Sequence, residues 1–392
     1  MRYVSQWALF MITLILLTSC KEDSPILFNN KSTQTAYETY LNDYETSPYK
    51  WGYIDLKGQL AIKNQYDDCR DFQEGKAAVL KEGLWGFIDQ SGKEIIKPMY
   101  RQAFEWSEGL GLVQTFDKVF LFVDKSGKAV IDSLKYSEVL PFKNGRAKIK
   151  DGDYSGYINK TGQLIIPANY RRGTNFKNGY AVVTLGSKQT LIDTAGVNML
   201  DKKYYDKVYS PRSSMVRIKQ DGNFDYYNLK TKSLSVYKFK KATDFQEDHA
   251  VVFDGKSYLH INKSFQSEKL PYNKVEFGGE GKWICANVNK YGYLKNDGKR
   301  LTLPNFDVAT RYKDGMAGIA IKNGWGYIDD QGKLAIPPTY PLVWDFKQDR
   351  ARMINQNGFG FIDKKGEFII RPYYIEVRDF SEGLARVQIF RK

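Results

Sequence analysis

The chain has 392 residues, a formal net charge of +14, three cysteines and two histidines. Three cysteines are too few for a disulfide-dense scaffold in so long a chain, and two histidines leave little material for histidine-centred catalysis. The positive charge indicates solubility and weak attraction to anions rather than a defined binding site.

The N-terminal residues have the pattern of an export signal. Arg2 precedes a largely apolar run over residues 7–17, which is shorter than the roughly 20 residues of a membrane-spanning helix. Directly after this run, Leu17-Thr18-Ser19-Cys20 resembles the lipobox of bacterial lipoproteins. The resemblance implies that residues 1–19 form a signal peptide and that Cys20 becomes the lipidated, palmitate-bearing first residue of the mature chain.

The export signal sets the expected location and partners. We expect a lipoprotein anchored in a membrane of the bacterial cell envelope, at the outer membrane or the cell surface. Residues 20–50 form the lipidated N-terminus and a linker, and residues 51–392 form one repeat array. An exported chain is not expected to bind nucleic acid, so its positive charge predicts no such partner.

The array repeats with a period of about 34 residues. Trp51-Gly52-Tyr53-Ile54-Asp55 returns 34 residues later as Trp85-Gly86-Phe87-Ile88-Asp89, and again as Trp325-Gly326-Tyr327-Ile328-Asp329. Looser copies bring the number of units to ten, and they begin at Phe120, Ser155, Gln189, Phe224, Tyr258, Tyr291 and Phe359.

The repeated motif resembles that of the WG-repeat proteins, a bacterial family named for its Trp-Gly pair. The resemblance covers nearly all of the mature sequence and implies an interaction module without naming a ligand. The pair is replaced by Gln189-Thr190, Phe224-Asp225 and Tyr258-Leu259. The stretch 189–290 therefore keeps the length of the repeat but not its residue pattern. We expect the positions that differ between copies to carry the functional information.

Each unit is predicted to be β-structure. Residues 145–150 alternate small or apolar with basic side chains at a period of two, and this Gly-x-Ala-x-(Val/Ile) pattern recurs along the array. Asp-Gly or Asn-Gly, as in Asp221-Gly222, follows several of these strands and is a strong hairpin signal. The Trp-Gly strand then ends in Asp-x-x-Gly, as in Asp89 to Gly92, where the carboxylate suits a turn better than a calcium site. We predict about ten three-stranded antiparallel meanders, stacked because one unit is too small to fold alone.

The phase of the array leaves two architectures open. The array starts with the Trp51 strand and ends with the strand over residues 383–390, and these two strand types are hairpin partners elsewhere. Pairing of the two ends would close a propeller-like ring. An open β superhelix, capped by a helical face within residues 33–45, is the alternative.

Few residues indicate chemistry. His249 and His260 have no neighbouring ligand at metal spacing, and Cys69 and Cys285 are expected to be buried small hydrophobes. We predict no catalytic residues, no metal site and no cofactor. Trp106, Trp283 and Trp344 lie outside the Trp-Gly position, and either core packing or sugar stacking would account for them.

These patterns favour a non-enzymatic scaffold that binds protein partners in the cell envelope. Glycan or peptidoglycan binding is the alternative, and a propeller-type enzyme is a third hypothesis. The predicted binding surface is the outward face of the Gly-x-Ala-x-(Val/Ile) strands, which carries Arg146, Lys148, Arg350, Arg352 and Arg386.

Overall fold

The computed structural model describes residues 49–235 and 237–390, and every regular element in these two ranges is a β-strand. The strands form ten small antiparallel sheets, the blades of a ten-bladed β-propeller, which confirms the all-β prediction. In these ranges no helix has the length and apolarity to cross a membrane. The predicted signal peptide, the predicted lipidation site Cys20, most of the linker and the predicted helical face within residues 33–45 lie outside the described residues.

We number the blades from the one that contains Trp51, and the strands by their order within a blade. The first strands of blades 1 to 10 are Glu376–Val377, Asp68–Cys69, Gln102–Ser107, Glu138–Val139, Arg172–Gly173, Lys207–Val208, Lys241–Ala242, Lys274–Gly279, Val308–Ala309 and Phe346–Lys347. The second strands, which carry the Gly-x-Ala-x-(Val/Ile) pattern, are Leu384–Phe390, Lys76–Lys81, Leu110–Gln114, Ala147–Asp151, Tyr180–Leu185, Met215–Gln220, His249–Phe253, Lys282–Asn287, Met316–Ile321 and Arg350–Asn355.

The third strands carry the Trp-Gly position, and eight of the blades add a fourth strand at the edge. The third strands of blades 1 to 10 are Tyr49–Asp55, Leu84–Asp89, Phe120–Val123, Tyr154–Ile158, Lys188–Asp193, Asn223–Asn228, Tyr258–Asn262, Lys290–Lys295, Gly324–Asp329 and Gly358–Ile362. The fourth strands, present in all blades but 5 and 8, are Leu60–Tyr66, Glu94–Tyr100, Ala129–Leu134, Leu164–Tyr170, Ser233–Leu234, Ser267–Leu270, Leu334–Tyr340 and Phe368–Tyr374.

Each blade straddles the boundary between two sequence repeats. Its second strand ends one unit, its third strand begins the next, and a tight turn joins them. Both Asp221 and Gly222 have positive φ, at 50° and 78°, as the predicted hairpin requires. The three predicted strands are the second, third and fourth of a blade, and the short first strand is an addition that the sequence pattern did not indicate.

The glycine of the Trp-Gly pair is required by a close approach of two backbones. In blade 2 the register slips between the pairs Trp85–Tyr100 and Phe87–Ile96, so the fourth strand bulges towards Gly86. A Cβ on Gly86 would lie 2.5 Å from the carbonyl oxygen of Ile96. Any side chain there would push the fourth strand away, which explains why Gly follows Trp.

The Asp-x-x-Gly segments are turns, as predicted. The Oδ1 atom of Asp89 accepts hydrogen bonds from the backbone N–H groups of Ser91 and Lys93 at 2.9 and 3.1 Å. Gly92 has a φ of +84°. A hydrogen bond from the Ser91 hydroxyl at 2.6 Å, together with these two backbone bonds, holds the pKa of Asp89 below its ordinary value. Turn geometry therefore accounts for this aspartate.

The two ends of the array pair and close the ring. Residues 49–55 and 384–390 form a seven-pair antiparallel ladder that runs from Tyr49 opposite Phe390 to Asp55 opposite Leu384. The side-chain amide of Asn64 also donates to the carbonyl of Val387 at 3.0 Å. The propeller-like ring is therefore correct and the open superhelix is wrong, because an open array would leave both strands without these partners.

The core lies between neighbouring blades. The Tyr53 hydroxyl of blade 1 donates to the carbonyl of Arg70 in blade 2 at 2.7 Å, and the Tyr53 ring packs edge-on against Phe72. In four further blades a tyrosine hydroxyl likewise donates to the carbonyl of the residue 17 positions later. These bonds run from Tyr157 to Thr174, Tyr226 to Thr243, Tyr293 to Thr310 and Tyr327 to Trp344. The stability of the protein therefore depends on packing between neighbouring blades and is not a property of a single blade.

Candidate functional site

The five basic residues predicted as a binding surface are all half-buried; four lie on second strands, and Arg146 directly precedes the second strand of blade 4. Arg386 of blade 1 donates to Asp71 of blade 2 at 2.6 Å, and Arg352 of blade 10 lies 2.6 Å from Asp379 of blade 1. Lys148 pairs with Glu138 inside blade 4 at 2.8 Å. Two of the five thus form ion pairs across blade interfaces, and Lys148 pairs within its own blade.

The two other predicted residues bind backbone carbonyls of the following blade. Arg146 donates from Nε to the carbonyl of Thr194 at 2.7 Å. Arg350 donates to the carbonyl of Leu56 from Nε and from an Nη atom, at 3.1 and 2.9 Å. The sequence pattern placed both side chains on second strands; Arg350 begins one, whereas Arg146 lies one residue before its strand, and the pattern did not indicate that the neighbouring blade binds them.

A second set of interblade contacts runs along the turns between first and second strands. The Glu74 carboxylate accepts hydrogen bonds from the backbone N–H groups of Glu108 and Gly109, at 2.6 and 2.8 Å. The Glu382 carboxylate of blade 1 likewise accepts hydrogen bonds from the backbone N–H groups of Glu74 and Gly75 in blade 2. Sequence reasoning missed this role, although an acidic or amide residue before the turn glycine in most units was its visible signal.

The tryptophans are mainly packing residues. Trp51 and Trp85 of the Trp-Gly pairs are buried, and Trp325 is half-buried. Trp106 and Trp283 are 2% and 0% exposed, so neither presents a ring to a sugar. Trp344 is half-buried, with the Arg352 guanidinium 5.7 Å from its ring. For Trp106 and Trp283, core packing is therefore the correct reading.

The two histidines meet in blade 7. Their rings stack with centroids 4.7 Å apart, and Nε2 of His260 is 2.8 Å from the carbonyl oxygen of Asn296 in blade 8. Burial lowers the pKa of His260, because a buried imidazolium loses its hydration. Among residues 49–235 and 237–390, no group of three or more His, Cys, Asp or Glu side chains is placed to hold a metal.

Cys69 and Cys285 are free, buried thiols, as the sequence predicted. Burial raises the pKa of both thiols to about 12. Because the thiolate is the reactive form, neither cysteine is suited to nucleophilic or redox chemistry at neutral pH.

The charge of the residue that begins the first strand varies between blades. Four successive blades, 5 to 8, begin this strand with an exposed cation, and we call these residues the basic arc: Arg172, Lys207, Lys241 and Lys274. Blades 1, 2 and 4 begin it with Glu376, Asp68 and Glu138, each half-buried. The sequence analysis singled out the stretch 189–290 but not these positions.

A cleft of about 220 Å³ opens between blades 7 and 8, within the basic arc. Its lining includes Lys241, Phe253 and Tyr258 of blade 7 and Lys274 and Glu276 of blade 8. The Lys241 Nζ atom is 5.7 Å from the Phe253 ring centre and 6.0 Å from that of Tyr258. The Lys274 ammonium donates a hydrogen bond to the Glu276 carboxylate, 2.9 Å away, and this bond raises the pKa of Lys274. Lys274 is therefore cationic at neutral pH.

Comparisons with solved structures give likenesses of fold only. A eukaryotic initiation factor structure matches at 11% identity and a TM-score of 0.46, over 76% of this chain and 95% of that one. BamB from Moraxella catarrhalis matches at 10% identity and a TM-score of 0.34, over 74% and 96%. PorZ of Porphyromonas gingivalis, a surface component of the type-IX secretion system, matches at 11% identity and 0.26, over 83% and 53%.

Comparison with curated proteins gives no match. The family model of the WG containing repeat matches six segments that together make up about half of the chain: residues 51–85, 85–118, 122–154, 156–188, 325–358 and 359–389. The unmatched stretch between them contains the units in which the Trp-Gly pair is replaced. On its repeat, its ten blades and this match, the chain belongs to the WG-repeat family.

Proposed function

We propose that the protein is a binding scaffold for protein partners in the bacterial cell envelope, without enzymatic activity. The observation that carries this proposal is that the polar side chains fall into two groups with different roles. Recurring ones such as Tyr157, Glu74 and Arg386 hold one blade to the next. The residue that begins the first strand, in contrast, is acidic in blades 1, 2 and 4 and an exposed cation in blades 5 to 8. A rigid ring with blade-specific surface residues is an arrangement suited to recognition.

The proposed anchor is a lipid on Cys20, which would tether the ring to a membrane of the envelope. The apolar run over residues 7–17 and the lipobox-like Leu17-Thr18-Ser19-Cys20 support this part of the proposal. Mass spectrometry of the mature N-terminus tests it. We expect a chain that starts at Cys20 with acyl groups attached, and the Cys20→Ser variant should remain unprocessed. An unmodified, uncleaved N-terminus in the wild type would contradict the anchor.

The partner class is tested by capture from solubilised envelope. The ring over residues 49–392 is immobilised, and bound proteins are identified by mass spectrometry, with a heat-unfolded sample of the same chain as control. We expect proteins retained by the folded ring alone. In parallel, the ring is mixed with isolated cell-wall glycan. Pelleting with glycan and no retained protein would favour the glycan alternative, and release of glycan fragments would favour an enzyme.

A further inference from the structure

The residue that begins the first strand is acidic in some blades and basic in others, and the four basic blades follow one another around the ring. Within each blade the first-strand residue is fixed by its pairing with the second strand, so equivalent positions can be compared. Lys207 lies opposite Lys219, Lys241 opposite Phe253 and Lys274 opposite Ala286. The cations are thus in register in three successive blades, and Arg172 takes the same place in blade 5.

In the described ranges, two of the three acidic residues at this position form ion pairs, whereas three of the four cations do not. Glu138 pairs with Lys148 at 2.8 Å and Glu376 with Arg378. Within the described ranges, no carboxylate lies within 4.0 Å of the charged groups of Arg172, Lys207 or Lys241. The folded protein therefore carries a run of exposed positive charge that its own side chains do not neutralise.

Repulsion within this run of positive charge destabilises the folded protein. Like charges directly opposite each other on neighbouring strands are destabilising, and Lys207 and Lys219 form such a pair. Their Nζ atoms lie 5.1 Å from the Tyr209 ring and 5.3 Å from the Phe224 ring, respectively. The aromatic faces offset part of this repulsion but leave the charge in place. An anionic partner would relieve it.

The cleft in the arc limits what that partner can be. Its volume of about 220 Å³ is below the roughly 300 Å³ at which small-molecule pockets begin. Tyr258 is 6% exposed, so its ring is covered and offers no stacking surface for a sugar. The Lys241 and Lys274 ammonium groups line the cleft with Glu276, which leaves one net positive charge. Such a cleft fits a carboxylate side chain.

We propose that the basic arc and the cleft between blades 7 and 8 bind an acidic segment of a protein partner, one that presents several Asp or Glu residues. One carboxylate enters the cleft between Lys241 and Lys274, and others pair with Lys207 and Arg172 along the arc. This inference rests on the proposed function, since it names the chemistry of the partner surface. Charge complementarity sets the orientation and the rate of association.

The test uses a fluorescein-labelled peptide of twelve residues rich in glutamate, with a glutamine-for-glutamate peptide as control. Binding to the ring is followed by fluorescence anisotropy at low salt. We expect the glutamate peptide alone to bind, and the double variant Lys241→Glu with Lys274→Glu to bind about tenfold more weakly. The matched control, Lys57→Glu with Lys365→Glu, changes net charge equally on exposed turns of blades 1 and 10, and it should change binding less than about twofold.

Three results would overturn the inference. They are equal binding by the arc variant and the wild type, equal loss in the control variant, and binding of polygalacturonate in preference to the glutamate peptide. Circular dichroism melting of each variant establishes that the ring is folded.

The envelope capture separates this inference from the proposed function. If the arc variant retains the same partners as the wild type, the acidic-segment proposal fails and the scaffold stands. If neither protein retains a partner, the scaffold proposal itself fails.

Discussion

The Arg386 guanidinium lies 2.6 Å from the Asp71 carboxylate, and this pair joins blades 1 and 2 through residues at opposite ends of the chain. Arg217 with Asp244 and Arg352 with Asp379 make the same contact elsewhere, at 2.9 and 2.6 Å. In each case the arginine lies on a second strand and the aspartate follows the first strand of the next blade. The same kind of ion pair thus occurs at both interfaces of blade 1, the blade that closes the ring, and at the interface of blades 6 and 7.

We expect the Arg386–Asp71 pair to stabilise the ring measurably. In a double-mutant cycle of Arg386→Gln and Asp71→Asn, the coupling energy should be about 1 kcal/mol, because Arg386 is largely buried while Asp71 keeps partial exposure to solvent. Denaturant unfolding measures the four free energies. The control cycle uses Arg378 and Glu376, a more exposed pair inside blade 1, which should give less than about 0.5 kcal/mol. Equal coupling in the two cycles would contradict the role assigned to Arg386.

The close approach at Gly86 predicts a large cost for a single methyl group. Gly86→Ala places a Cβ 2.5 Å from the Ile96 carbonyl oxygen, and the fourth strand must move, so we expect a loss of about 2 to 3 kcal/mol in the free energy of unfolding. Gly109→Ala is the comparison, because it meets open space but has a φ of +85°. Its cost should be about 1 kcal/mol. If Gly109→Ala costs more, close approach is not what selects glycine after Trp85.

The hydroxyl of Tyr157 should contribute to the interface of blades 4 and 5. Tyr157→Phe removes the donor to the Thr174 carbonyl, and the loss of this one hydrogen bond should cost about 1 kcal/mol. Thermal melting measures the change. Tyr154→Phe serves as control because Tyr154 is 52% exposed, and its melting temperature should stay at the wild-type value. An unchanged melting temperature for Tyr157→Phe would mean that the hydroxyl contributes nothing.

The buried His260 predicts a loss of stability in mild acid. Burial lowers its pKa in the folded state, so the unfolded chain, with a pKa near 6.5, takes up a proton first as the pH falls. Stability should therefore decrease as the pH falls through about 6.5 and level off below the folded pKa. The hydrogen bond to the Asn296 carbonyl and the nearby carboxylates of Glu268 and Asp297 oppose this lowering of the pKa, whereas His249 adds to it.

The His260→Gln variant isolates this contribution. A glutamine can still donate to the Asn296 carbonyl, but it does not titrate. The difference in unfolding free energy between wild type and variant, measured by urea unfolding from pH 8 to pH 5, should shift against the wild type as the pH falls. Parallel curves for the two proteins would rule out a contribution from His260.

Local features of the fold followed from the sequence. Asp221-Gly222 predicted a hairpin because both residues must take positive φ, and both do. The alternation around Lys148 predicted a strand, since side chains on a strand point alternately to opposite faces. The short first strands escaped prediction because most are only two residues long, as at Lys207–Val208, which is too short for a periodic pattern.

The roles of the candidate site residues were harder to predict. Arg352 and Arg386 were expected to face a ligand, but each reaches an aspartate of the next blade. No local pattern distinguishes a solvated arginine from one whose partner lies 27 residues along the chain. Trp283, expected equally as core or as sugar platform, is buried because the two neighbouring strands of blade 8 and apolar side chains of blade 7 enclose it.

By itself the sequence determined the repeat, its β-strands and its turns, because these depend on side-chain alternation and on backbone angles within a few residues. It also determined that the two ends of the array have complementary strands. Only the tertiary structure decided that Tyr49–Asp55 pairs with Leu384–Phe390, and that Lys241 and Lys274 line one cleft. Both results depend on the rotation between successive blades, and stacking between residues far apart in the chain sets that rotation.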